Sequence, residues 1–117
     1  MSNSKYKVKD IWNERYGNID EIEDYAGMVI KKSACGNRNS FYEPTIDHIR
    51  PLSDGGKDVK GNIVICHRDT NFEKGDDFPH WKTNGKRFHA IMLYGVQPFE
   101  VVLMVWRKPV NGDATGV

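Results

Sequence analysis

Two cysteines in 117 residues, Cys35 and Cys66, are too few for a disulfide framework, and the expected setting is the reducing interior of a cell. No apolar run approaches the roughly 18 residues of a membrane span, so no membrane partner is expected. The segment Met1 to Asp10 lacks the apolar centre of a secretory signal, which makes the cytoplasm the expected compartment. Internal repeats and low-complexity tracts are absent. An excess of charge is also missing: 17 Lys and Arg face 16 Asp and Glu, a net charge of +1. That balance argues against gross electrostatic capture of nucleic acid by the chain as a whole.

What is present suits one soluble domain spanning residues 1–117, with 38% hydrophobic and 28% charged residues and a mean hydropathy of −0.64. The charge is uneven. Residues 1–30 carry four Lys and Arg against six Asp and Glu, whereas residues 31–90 carry eleven against eight. The middle of the chain can therefore offer a local basic surface to phosphates, although any single lysine reads equally well as a solvated charge.

Residues 1–9 are expected to be a loose arm and residues 111–117 a frayed tail. Asp10 to Tyr16 suits a short helix stopped by Gly17, and the acids of Asp20 to Tyr25 suit the first turn of another. Trp12, Tyr16, Ile22 and Tyr25 are expected to pack on the core. Gly27 to Lys32 predicts a strand, Ser33 to Ser40 a polar turn, and Phe41 to Ile49 an extended run. Asn62 to Cys66 predicts the next strand and Arg68 to Lys74 a short helix ending near Gly75. Beyond a break at Asp76 to Trp81 and a tight turn at Asn84-Gly85, Phe88 to Tyr94 and Phe99 to Trp106 predict two strands joined at Gly95 to Pro98.

The stretch Ile46 to Lys74 carries the chemistry. Asp47 and His48 are neighbours, and a carboxylate beside an imidazole pairs a cation ligand with a proton acceptor. Neighbouring strand residues face opposite ways, so both reach one substrate only at a strand end or bend. Pro51 supplies such a stop, and Asp54-Gly55-Gly56 signals a turn. Asn71 offers an amide oxygen, a donor suited to hard cations. One carboxylate and one amide leave most of an octahedral shell to water and phosphate oxygens, a composition that suits metal-assisted phosphodiester hydrolysis.

Ile46-Asp47-His48-Ile49-Arg50-Pro51-Leu52-Ser53-Asp54-Gly55-Gly56, Gly61-Asn62-Ile63-Val64 and Asn71-Phe72-Glu73-Lys74 together resemble the HNH endonuclease family. The resemblance implies an α+β fold: a ββα-metal core at residues 44–76, short N-terminal helices and an added C-terminal β-hairpin. It implies a metal-dependent endonuclease cleaving DNA, double-stranded by expectation, through a single divalent cation, Mg²⁺ or Mn²⁺. His48 would be the general base and Asp47 and Asn71 the metal ligands. Asn62 would tie the loop to the strands and orient His48. Arg50 and Lys74 are candidates for phosphate contacts. His67 lies one helical turn before Asn71 and could meet the metal or the substrate, or be structural.

The chain departs from the pattern it resembles where many HNH proteins carry two Cys-x-x-Cys pairs for a structural zinc. The equivalent positions read Lys32, Cys35, His67 and Thr70, two of which could ligate where four are needed. No structural zinc is expected, and Trp12, Tyr42, Phe72 and the C-terminal strand are expected to supply the missing stability. Two competing readings use the same residues: a non-catalytic nucleic-acid-binding module and an RNA-directed nuclease.

Overall fold

The computed structural model describes residues 3–92 and 99–104. Their elements alternate small antiparallel sheets with two helices, an α+β architecture. Helix α1 (Val8–Tyr16) leads into strand β1 (Glu21–Glu23), which pairs with β2 (Val29–Lys31). Strands β3 (Pro44–His48) and β4 (Ile63–His67) form a second antiparallel pair, followed directly by helix α2 (Arg68–Lys74). Strands β5 (His80–Thr83), β6 (Lys86–Met92) and β7 (Phe99–Met104) make a third sheet in that order. No helix among the described residues is long and apolar enough to cross a membrane.

Two apolar clusters hold these pieces. Ile11 and Trp12 of α1 meet Ile30, Ile46, Ile63 and Ile65, with Tyr16 and Ile22 packed against them. The indole N–H of Trp12 donates to the Ile19 carbonyl at 2.8 Å, so the large ring is buried without stranding its polar edge. Ala26, Ile49, Trp81 and Phe88 form the other cluster, flanked by Tyr25. Both clusters draw on the β3–β4 region, Ile49 lying just past β3, so the end of β3 is gripped from two sides.

Several expectations change. Asp20 to Tyr25 is not a helical turn: Asp24 accepts the backbone N–H groups of Ala26 and Met28, both at 2.9 Å, and turns the chain so that β1 folds back on β2. An Asp side chain competing for local N–H groups in this way favours turns over helices. Helix α2 does end before Asp76 and Asn84-Gly85 is the tight turn expected, with φ 51° and 73°; what differs is that β5 already starts at His80, so that turn joins it to β6. Phe72, assigned to stability, is 87% exposed. The arm is not loose where it is described, because Ser4 and Lys5 bond to Asp58. The predicted strand link at 95–98 and the tail at 111–117 lie outside the described residues.

Candidate active site

The β3–β4 register pairs Asp47 with Val64 and His48 with Ile63, which puts both polar residues at the last two rungs of the ladder. Past that point the chain leaves the sheet. Asn62 holds the exit: its Oδ1 accepts the Arg50 N–H at 2.8 Å, and its Nδ2 donates to the carbonyls of Arg50 at 3.0 Å and Lys57 at 2.9 Å. One buried amide thus pins both ends of the loop between β3 and β4. Gly56 is needed for the same closure, since a Cβ there would lie 1.8 Å from the Arg50 carbonyl oxygen.

Helix α2 supplies the opposite wall. Its first turn is fixed by Asp24, whose Oδ2 accepts from the backbone N–H of His67 at 2.9 Å and the Thr70 hydroxyl at 2.6 Å. Asn71 then faces β3, donating from Nδ2 to Thr45 Oγ1 at 3.1 Å and the Ile46 carbonyl at 3.3 Å. Those two bonds set the amide's orientation, and no hydrogen bond among the described residues engages Oδ1.

Between the walls is a cavity of about 490 Å³ lined by Asp47, His48 and Asn71, with Pro51 to Ser53, Phe72 and Asp76 around them. Three residues expected from sequence to act together do meet here. Asp47 is 8% exposed, and no hydrogen-bond partner reaches its Oδ2 among the described residues. Lys74 Nζ stands 3.4 Å from that oxygen, at ion-pair distance but outside hydrogen-bond geometry. Burial pushes the Asp47 carboxyl up to about 6, against the pull of Lys74. A carboxylate and an amide on the walls of one open cavity are oxygen donors of the kind that fits a hard divalent cation completing its shell with water and substrate oxygens.

The remaining residues fall elsewhere. Lys74 is 1% exposed; its ammonium donates to the His48 carbonyl at 3.3 Å and lies 5.1 Å from the centre of the Trp81 ring. Its charge therefore faces Asp47 and the end of β3, not the surface where a phosphate would meet it. Arg50 is half-exposed, with Nε donating to the Asp54 carbonyl at 2.8 Å, so its guanidinium braces the loop and still reaches solvent.

His67 is buried with both nitrogens engaged: Nδ1 accepts the Asp69 N–H at 2.9 Å and caps α2, while Nε2 bonds the Phe41 carbonyl. It has no lone pair left for a metal. His67 and Thr70, two of the positions compared with zinc ligands by sequence, are joined through Asp24, and the Phe41 ring centre sits 4.8 Å from the His67 ring centre. Among the described residues no group of three or more His, Cys, Asp and Glu could hold a metal.

Sequence reasoning missed two residues of consequence. Asp24 anchors α2 from 43 residues away, a contact no local pattern encodes. Asp58, in the loop, lies 2.9 Å from His48 Nε2. No curated protein and no solved structure matches the chain. Residues 33–77 match the family model described as HNH endonuclease, which contains Asp47, His48, Asn62 and Asn71. The family acts on nucleic acids and generally works with a divalent metal. Over residues 33–77 the chain is thus similar to the HNH endonuclease family.

Proposed function

We propose that this chain is a divalent-metal-dependent DNA endonuclease with His48 as general base. One observation carries the reading: His48, Asp47 and Asn71 line the same cavity, the first two from a strand end and the third from a facing helix.

Asp47 and Asn71 would hold one cation, Mg²⁺ or Mn²⁺, whose chemistry is to stabilise the charge building on the phosphate and on the departing 3′ oxygen. His48 takes a proton from the attacking water; the new P–O bond forms as the P–O3′ bond breaks, and the 3′ oxygen leaves with a proton from solvent. Lys74 is the buried counter-charge that keeps Asp47 ionised near neutral pH. Asn62 holds the loop that shapes the cavity's far side. Arg50, half-exposed at the loop, would meet backbone phosphate, and Phe72, 87% exposed at the rim, would meet base or sugar.

The test is a supercoiled plasmid incubated with the protein in Mg²⁺, Mn²⁺ or EDTA, beside His48→Ala. Metal-dependent nicking that His48→Ala abolishes, with DNA binding retained, is the expected result. Equal binding by both proteins with no nicking in any metal would instead identify a nucleic-acid-binding module, and cleavage confined to RNA substrates would reassign the target.

A further inference from the structure

His48 is 9% exposed, and its ring is held at one nitrogen: Nε2 lies 2.9 Å from Asp58 Oδ1. Asp58 is itself secured. The Ser4 hydroxyl donates to Oδ1 at 2.6 Å and the Lys5 backbone N–H to Oδ2 at 2.7 Å. Ser4 Oγ in turn accepts the Tyr6 N–H at 3.0 Å, which fixes the arm's turn, and Asn3 reaches the cavity wall. On the loop side, the Asn62 amide holds the Lys57 carbonyl immediately before Asp58. The carboxylate is thus located from both directions.

An ionised carboxylate only accepts hydrogen bonds. The hydroxyl of Ser4, the N–H of Lys5 and the His48 ring hold the Asp58 carboxyl down to about 2, so it is ionised under all working conditions. The hydrogen in the 2.9 Å contact must then sit on Nε2, and a neutral His48 ring carries its lone pair on Nδ1. We propose that Asp58 is the positioning residue for His48: it fixes the ring and the Nε2–H tautomer, presents Nδ1 as the proton-accepting nitrogen, and is kept in place by the Ser4–Lys5 arm. The inference deepens the reading of His48 as general base and rests on it. The orienting logic is that of a carboxylate behind a catalytic imidazole, supplied here by a loop residue and an N-terminal arm distant in sequence.

The test combines ¹⁵N-histidine NMR with nicking kinetics on the full chain. In wild type the neutral His48 ring should show the Nε2–H tautomer. In Asp58→Ala that signature should give way to a tautomer mixture, and kcat should fall about 10- to 100-fold, the loss typical when an orienting partner is removed, with KM nearly unchanged. Asp58→Asn, which keeps the loop's shape, serves if the alanine variant is misfolded. Ser4→Ala, which retains the Lys5 bond, should lose only a few-fold in kcat. An unchanged tautomer together with unchanged kcat in Asp58→Ala, or an Nδ1–H tautomer in wild type, would overturn the proposal. The NMR readout needs no activity, so inactivity of wild type would count against the nuclease reading while the tautomer still decides the role of Asp58.

Discussion

Replacing Lys74 by Met keeps the length of the side chain and removes its charge, which isolates what the ammonium does. In the folded protein Nζ lies 3.4 Å from Asp47 Oδ2 and donates to the His48 carbonyl, with 1% of the residue exposed. A unit-charge pair at that distance is worth about 5 kcal/mol at an effective dielectric of 20. Removing one member of a buried pair typically costs about 3–5 kcal/mol. Asp47 can escape part of this by taking a proton, so the low end, about 3 kcal/mol, is expected, or roughly 12 °C in Tm for a chain of this length. The double variant Asp47→Asn/Lys74→Met should be less destabilised than the sum of the single ones, because each single variant strands one buried charge and the double variant strands none. Thermal melts of the metal-free proteins at pH 7.5 read this directly. A Lys74→Met melt within about 4 °C of wild type, with no coupling in the cycle, would mean that the ammonium faces solvent and that the pairing argument is wrong.

The same pair sets a pH dependence with an unusual sign for an acid. The Asp47 carboxyl is raised in the fold from 3.8 to about 6, so between those values the folded protein holds a proton that the unfolded chain has released. Stability of the metal-free protein should therefore fall as pH rises from about 4 to about 6, by about 1–3 kcal/mol, and level off above. Lys74→Met should extend that fall to higher pH, since nothing then opposes the burial of the charge.

Three other outcomes are expected. Asn62→Ala removes three hydrogen bonds from a side chain 1% exposed; it should cost about 2–4 kcal/mol in denaturant melts and raise hydrogen exchange at Arg50. Asp58→Asn should lower stability at neutral pH but not in strong acid: the folded carboxyl is depressed to about 2, so its contribution is complete above about 4 and lost as pH falls through about 2. Melts across that range should converge, and a gap that persists at pH 2 would refute the assignment. Phe72→Ala should leave Tm within about 2 °C, as expected of a surface change, yet weaken DNA binding or nicking; loss of stability would show that the ring packs.

The parts of this molecule legible in sequence are those whose causes are local. Asp47-His48 before Pro51, the paired glycines and the Asn71-x-x-Lys74 helix each declare a short-range constraint, and β3, β4 and α2 form where those constraints place them. Even so, residue identity and residue environment diverge. Lys74 looks like a surface cation because lysines usually are; its burial follows from Asp47 and Trp81 arriving from β3 and β5, and neither arrival is written near position 74. Phe72 errs the other way, apolar by type yet exposed because α2 turns its adjacent residue, Asn71, towards β3. Asp24 and Asp58 are ordinary acids in sequence, and each gains its meaning from partners more than 40 residues away: His67 and Thr70 for the first, Ser4 and Lys5 for the second. Spacing thus finds the residues that touch the cavity, whereas those that hold them in place emerge only once distant segments meet. On this chain the second group decides which nitrogen of His48 is free and whether Asp47 is charged, so the chemistry depends on it as much as on the motif.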